Sequence, residues 1–419
     1  MAIDTALILA AGAGTRLRPI TNTRPKAMVK IVGKPILHHI ILELQAIGIK
    51  KIFIVVKYKK ENVIQYFQKI ASDLKAKIEF IEQGERYGTA AAIAEAEGKI
   101  DSSFFAVAGD IITTKETFLK LQKEYEGKAT VVLKKVENPE NYGFATVQNN
   151  YITNFEEKPK KVEENAYANC SIYAFEPEIF KKIKEIKKSP RGEYEITDIL
   201  KSQKAKAVVI EDYWLDMGLP WQLFDATKFI IQKSKEQREG LIEDSIIKGK
   251  VIVEKGAKII NSYLEGNIYI GKNTSIGPHS YIKGDSSIGE ECSIGDSTTI
   301  KNSIIFDRVN AKHLTYIGDS IIGEECNFGA ATQIANFRFD EGLIKAKINE
   351  VTIDTKRRKL GAIIGDKVKT GVLSAIMPGK MIGENSWIGA GVVIKENVPS
   401  DTYVELEQKL SYKKAGEDN

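Results

Sequence analysis

From about residue 246 onward the sequence repeats itself every six positions. Ile252, Leu264, Ile270, Ile276, Ile282, Ile288, Ile294 and Ile300 share one register, broken only at Lys258. The spacing returns at Ile322, Phe328 and Ile334, then at Ile364, Ile376, Ile382, Ile388 and Ile394, with Thr370 filling one slot. A helix buries residues three or four apart and a strand buries every second one, so neither produces this period. Glycine follows many of the aliphatic residues, as in Ile270-Gly271, Ile288-Gly289 and Ile382-Gly383. One inward aliphatic residue per face and a small residue per corner predict a parallel β-helix, whose coils bury their apolar sides only by stacking. The stretch between Asn336 and Lys359 is charged and breaks the pattern, so it is expected to project as a loop, the usual place for binding on a solenoid.

The first half follows another rule. Short apolar runs, Ala6–Ala10, Ile52–Val56, Ile78–Ile81, Phe104–Ala108 and Thr130–Leu133, are separated by helix-length segments. One of these, Ile36 to Gly48, carries apolar residues at Ile36, Leu37, Ile40, Ile41, Leu44 and Ile47 and stops at glycine. Strands alternating with amphipathic helices predict βαβ units: an α/β, Rossmann-like domain with a mixed, mostly parallel sheet. A chain of 419 residues is too long for one core. The expected division is a catalytic α/β domain over 1–225, a linker helix over 226–245, the β-helix over 246–399 and a polar tail over 400–419.

Lysine plus arginine exceeds aspartate plus glutamate by 61 to 56, a net +5 with no long single-sign block, which argues against a nucleic-acid partner. The three cysteines, Cys170, Cys292 and Cys326, have no CxxC spacing and indicate neither disulfide framework nor zinc site, so a reducing cytoplasmic location is expected. The apolar run Ala6 to Ala11 is too short to span a membrane and leads into a glycine loop, reading as a buried first strand.

That loop carries the first chemistry. Gly12-Ala13-Gly14-Thr15-Arg16 follows the strand, and Arg24-Pro25-Lys26 lies just downstream. Small residues let backbone N–H groups approach a polyphosphate, and the arginine and lysine add fixed positive charge. The segment lacks the Gly-Lys-Ser/Thr of a P-loop and the third glycine of a dinucleotide fingerprint. Phe104 to Asp110 is an apolar strand delivering a carboxylate at its C-terminal edge, where open α/β sheets place ligands.

Leu9 to Lys26 resembles the signature of the nucleoside-diphosphate-sugar pyrophosphorylases, and the similarity continues to about residue 225. The resemblance implies attack by a sugar 1-phosphate oxygen on the α-phosphorus of a nucleoside triphosphate, with pyrophosphate leaving. It assigns catalytic roles to Arg16 and Lys26, and nucleotide contacts to Leu9, Ala11, Gly12, Gly14, Thr15, Gln83, Gly88 and Thr89. Asp110 and Asp216, the latter in Trp214-Leu215-Asp216-Met217-Gly218-Leu219-Pro220, are implied ligands of magnesium, which takes hard oxygen donors. Gly143, Glu157, Lys158, Asn169 and Thr197 match sugar-phosphate positions. After Asn169 the family commonly has Ala/Thr-Gly, whereas this chain has Cys170-Ser171.

Lys312-His313-Leu314-Thr315-Tyr316 sits inside the repeat, and the chain holds only four histidines. A near-neutral imidazole suits removal of a proton from an attacking amine. The block from Lys312 to Met377 resembles the acetyltransferase half of the bifunctional N-acetylglucosamine-1-phosphate uridylyltransferase/glucosamine-1-phosphate acetyltransferases, particularly their archaeal branch. That resemblance implies a left-handed β-helix, His313 as general base, Tyr316, Asn327, Asn336, Arg338 and Lys345 as substrate contacts, acetyl-CoA as co-substrate and a homotrimer built through the β-helix. Asn336-Phe337-Arg338-Phe339 replaces the Asn-Tyr-Asp-Gly of the bacterial enzymes.

The leading expectation is a bifunctional enzyme acting on small molecules, a nucleoside triphosphate (UTP or dTTP), a sugar 1-phosphate and acetyl-CoA, with no nucleic acid and no membrane. The alternatives are a monofunctional glucose-1-phosphate uridylyl/thymidylyltransferase whose β-helix serves assembly or regulation, and a non-catalytic regulatory subunit. Retention of Arg16, Lys26, Asp110 and Asp216 argues against the last.

Overall fold

The structure, a computed structural model, describes residues 3–136, 142–157, 166–189, 192–413 and 415. The chain forms two compact units, one of Met1–Leu17 with Arg24–Gln222 and the other of Arg18–Thr23 with Leu223–Asn419.

The first unit is built on a nine-stranded sheet. Thr5–Leu9 lies between Lys51–Val56 and Phe104–Ala108 and runs parallel to both, with Leu9 level with Val55 and Ala108. The apolar residues of these three strands are buried because the strands are covered on both faces, hence their continuous rather than alternating hydrophobicity. The shared register also brings the glycine loop after Leu9 and the Gly109-Asp110 turn to the same edge. Gly109 makes this possible, because its N–H donates to the Leu9 carbonyl at 2.9 Å and a Cβ there would lie 2.9 Å from the same oxygen. Beyond Phe104–Ala108 the sheet becomes mixed, because Ala166–Phe175 runs antiparallel to all three strands it pairs with. The helix Ile36–Ala46 buries Ile36, Leu37, Ile40, Ile41 and Leu44, and Gly48 takes up the left-handed turn beyond it at φ +92.

The second unit contains a parallel β-helix. Leu264, Ile282, Ile300, Ile317 and Ile334 stack in successive coils. Ile270, Ile288, Ile305, Ile322, Ile364 and Ile382 form a second column. Ile276, Ile294, Ala311, Phe328, Thr370 and Ile388 form a third. These columns fill the interior, and the one polar member, Thr370, bonds through its hydroxyl to the Gly329 N–H and Thr332 Oγ1. Replacing Ile317 by alanine leaves a methyl-lined void that neighbouring coils cannot close. It is expected to cost about 3 kcal/mol, read as a lowered denaturation midpoint at fixed protein concentration.

The repeat departs from a strict period at its start. Val253 and Ile259, not Ile252 and Lys258, point inward, because the turn from Ile259 to Leu264 is one residue short of six. The helix that precedes the coils covers Gln222–Lys233 instead of 226–245, and solenoid strands begin at Leu241. After Ile231 no apolar residue continues the helical spacing until Leu241, so a longer helix would have nothing to bury. Between Ile334 and Ile364 the chain leaves the coils and forms an antiparallel hairpin, Lys345–Ile348 with Val351–Asp354. Ile344, Ala346 and Ile348 are buried on one side while Lys345 and Lys347 face outward. Arg357 holds the return arm to Asp225 through two bonds of 2.9 and 3.0 Å.

Among the described residues no helix is long and apolar enough to cross a membrane.

Candidate active sites

In the first unit a cavity of about 390 Å³ opens at the C-terminal edge of the parallel strands. Its walls include Leu9, Ala11, Gly12, Arg16, Lys26, Gln83, Gly88, Thr89, Asp110, Gly143, Asn169, Thr197 and Asp216. Thirteen expected site residues thus share one cleft. Gly14 and Thr15 are not among its lining residues: Gly14 turns the chain at φ +65 and Thr15 opens the short 3-10 turn Thr15–Leu17. Glu157 ends the strand Tyr151–Glu157, and Lys158 lies outside the described residues.

The carboxylates meet through a two-stranded ribbon. Trp214–Asp216 pairs antiparallel with Ile111–Thr113, setting Asp216 opposite Ile111, and the Met217 N–H donates to the Asp110 carbonyl at 3.0 Å. Lys26 lies between the two side chains, its Nζ 2.5 Å from Asp110 Oδ2 and 3.4 Å from Asp216 Oδ1. Burial opposes the Lys26 charge most strongly, yet the two carboxylates outweigh it and hold its pKa above the ordinary value. Burial likewise pushes the Asp216 carboxyl up, against the pull of Lys26. A Cβ on Gly218 would lie 3.3 Å from Asp216 Oδ2 and 3.8 Å from Arg16 Nη1, so the guanidinium stands at the same corner. Tyr142 leans on Trp214, and burial together with the Asp216 charge pushes its phenol up to about 12.

Two carboxylates supply oxygen donors of the kind magnesium takes, and phosphate oxygens and water would complete its shell. Among the described residues no group of three or more acidic, histidine or cysteine side chains is placed to hold a metal unaided.

The opposite wall is stitched by backbone. Tyr194 N–H donates to the Tyr87 carbonyl, Ala90 N–H to the Tyr194 carbonyl, and Ile196 N–H to Thr89 Oγ1. Gly88 sits in this seam at φ +123, where a Cβ would fall 2.4 Å from the Tyr194 oxygen. By contrast, a Cβ on Gly12 meets no atom within 4 Å. Gly88→Ala is therefore expected to destabilise the unit by roughly 2–4 kcal/mol, whereas Gly12→Ala should leave the melting midpoint unchanged and raise KM for the nucleotide. Differential scanning calorimetry beside initial-rate kinetics separates the two.

Gln83 is buried and donates through Nε2 to the Arg86 carbonyl at 2.9 Å, which fixes the amide at the cleft wall. Asn169 donates to Tyr173 Oη and accepts from the Ser171 N–H, both at 2.9 Å. Ser171 adopts φ +56, within a break in strand register between Asn169 and Tyr173. This left-handed residue explains why glycine is common at the equivalent position in the resembled family.

The second unit carries a separate constellation. His313 lies at the corner before the strand Tyr316–Gly318, more than half exposed, with Nδ1 3.4 Å from Asp296 Oδ2. Asp319 accepts from Asn336 Nδ2 at 2.5 Å and from Asn302 Nδ2 at 3.3 Å. Tyr316 bonds to Asn336, and burial and then the Asp319 charge raise its pKa. Lys283 and Lys301 stand side by side on adjoining coils, and burial and then Lys359 lower the Lys301 pKa. Asp319, Phe337, Arg357, Arg358 and Lys359 line a neighbouring recess of about 470 Å³.

Asn327 lies on a different sheet from Tyr316, Arg338 is engaged bidentately by Asp340, and Lys345 faces outward on the hairpin. The described contacts of one chain do not draw these three into the Tyr316–Asn336 cluster. Sequence reasoning missed Asp296, Asp319, Lys283 and Lys301. The first two could have been found from the coil length, since Asp296 precedes His313 by 17 residues and Asp319 precedes Asn336 by 17.

A glycine loop, two cations and two carboxylates at the strand ends define a nucleotidyl transferase, and the family described as Nucleotidyl transferase matches residues 5–233. The family described as GMPPB C-terminal domain matches residues 264–373. The chain is 41% identical to the bifunctional protein GlmU of Methanocaldococcus jannaschii, over 98% of this chain and 99% of that one. It is 38% identical to the bifunctional sugar-1-phosphate nucleotidylyltransferase/acetyltransferase of Sulfurisphaera tokodaii, over 94% and 98%. A solved structure of a provisionally named glucose-1-phosphate thymidylyltransferase from Bacillus anthracis matches with a TM-score of 0.50 and 28% identity, covering 57% of this chain and 98% of that one. The chain belongs to the nucleotidyl transferase family and, within it, to the bifunctional nucleotidyltransferase/acetyltransferases. The single-activity alternative is not favoured, since the relatives matched over both halves are bifunctional.

Proposed function

We propose that the first unit joins a uridylyl or thymidylyl group to a sugar 1-phosphate with release of pyrophosphate, and that the β-helix acetylates an amino-sugar 1-phosphate from acetyl-CoA. The observation that carries the first half is the meeting of Arg16 and Lys26 with Asp110 and Asp216 in one cleft. Gln83, Gly88 and Thr89 on one wall would hold the base, with Leu9, Ala11 and Gly12 along the triphosphate; Gly143, Glu157, Lys158, Asn169 and Thr197 would hold the sugar phosphate. A phosphate oxygen of the sugar attacks the α-phosphorus in line, the bond to the leaving pyrophosphate breaks, and Arg16 and Lys26 neutralise the charge that accumulates. Magnesium, held by Asp110 and Asp216, would supply further charge neutralisation at the phosphates.

In the second half, Asp296 orients the His313 ring so that the other nitrogen can take the proton of the attacking amine. The Lys283–Lys301 pair, with Tyr316, Asn336 and Lys345, would receive the sugar phosphate. Asn327, Arg338 and Lys345 stand apart from that cluster within one chain, which supports a site completed by a neighbouring copy in a homotrimer. The domain division that goes with this reading is catalysis in 1–225 and acyl transfer in 246–399, in a cytoplasmic enzyme.

A grid of UTP, dTTP and other nucleoside triphosphates against sugar 1-phosphates, read by pyrophosphate release with and without acetyl-CoA, tests the whole reading. Pyrophosphate release with at least one pair, and acetyl-CoA consumption with glucosamine 1-phosphate, are expected. Absence of either sinks the corresponding half. Analytical ultracentrifugation of the full chain should give a trimer mass, and a monomer mass would remove the shared site.

A further inference from the structure

The Lys26 ammonium is placed where it neutralises both carboxylates of the cleft at once. Its Nζ lies 2.5 Å from Asp110 Oδ2 and 3.4 Å from Asp216 Oδ1, and its side chain is only 10% exposed. The ribbon between Ile111–Thr113 and Trp214–Asp216 holds the backbones of the two aspartates close together, so an ion bound by both carboxylates would share their space with the ammonium. A divalent ion bound to a carboxylate oxygen sits about 2.1 Å from it. With Nζ against the same pair, ion and ammonium would stand roughly 4–5 Å apart in a partly buried cleft, where like charges are screened less than in bulk water and repel.

We propose that Lys26 acts as an internal counter-ion that keeps the Asp110–Asp216 pair closed to free divalent cations, and that the pair opens to metal only when a triphosphate draws the ammonium away. This rests on the reading of Asp110 and Asp216 as the metal-binding pair. The cleft then admits metal together with nucleotide and does not load it beforehand. The two acidic side chains need no metal to remain side by side, because the lysine supplies the missing positive charge in the resting enzyme. When the phosphates arrive, the same ammonium has a new anionic partner, and the carboxylates turn their charge to the ion. One side chain thus serves two states of the site, and its departure from one partner coincides with arrival at the other.

The test uses Mn2+ alone, without nucleotide, titrated into the full-length protein and followed by electron paramagnetic resonance of the free ion. Wild type, Lys26→Met, Asp110→Asn and the double variant are compared, with Lys26→Gln as a second neutral replacement should the methionine variant fold poorly by circular dichroism. Lys26→Met is expected to bind one Mn2+ at least about tenfold more tightly than wild type, and Asp110→Asn in that background should abolish the gain. Equal affinity in wild type and Lys26→Met, with both lost on Asp110→Asn, overturns the proposal while leaving the metal pair in place. Tight binding that survives Asp110→Asn removes the metal pair itself, and the proposal with it. No measurable binding in any variant also overturns it, because a carboxylate pair freed of its lysine should then hold the ion.

Discussion

Asp110→Ala should lower pyrophosphate release by about 10³-fold or more while acetyl transfer to glucosamine 1-phosphate proceeds at the wild-type rate. Asp110 contacts Lys26 directly, and its backbone carbonyl takes the N–H that leads out of the Asp216 strand. Removing the carboxylate strips one oxygen donor from the pair and leaves Lys26 with only its longer contact to Asp216. The acetylation assay on the same preparation is the control, because His313 and its Asp296 partner belong to the second unit. Simultaneous loss of both activities would contradict two separate sites.

The reciprocal experiment is expected to give the reciprocal result. His313→Ala should reduce acetyl transfer by roughly 10²–10⁴-fold, the usual contribution of a positioned general base, with pyrophosphate release unaffected. The imidazole is more than half exposed and packs against little, so the substitution removes chemistry without opening a void. Asp296→Asn should give a smaller loss, since it alters only the acceptor facing Nδ1. Unchanged acetylation in His313→Ala would remove the proposed base.

Much of this architecture was legible because its physics is repetitive. The interior residues of the solenoid recur in a register that tolerates few exceptions, and Leu264 to Ile300 could be placed on it by counting. The first coils could not, since Ile252 and Val253 are equally apolar and only the short turn before Leu264 selects Val253. The hairpin of the insertion was hidden for a related reason: Ile344, Ala346 and Ile348 alternate with lysines inside a charged stretch, too few to outweigh its composition. In the first unit, strand ends revealed Asp110, but no local signal joins it to Asp216. That meeting depends on a ribbon between segments about a hundred residues apart, and the family resemblance alone foretold it. Ser171 shows the opposite case. Its departure from the family pattern was visible, but its meaning, a left-handed residue at a break in strand pairing, required the backbone.

The coils on either side of the insertion pair with one another directly, Ile322 with Ile364 and Phe328 with Thr370, as if the intervening residues were absent. A bridge between Phe337 and Lys359 pins the two stems together at the point of departure. The excursion is therefore an interchangeable cassette on a stationary spindle. Its length can change without breaking the ladder of coils beneath it, and the fixed points it must keep are few: the Asn397 bond to the Lys347 carbonyl and the Arg357 grip on Asp225.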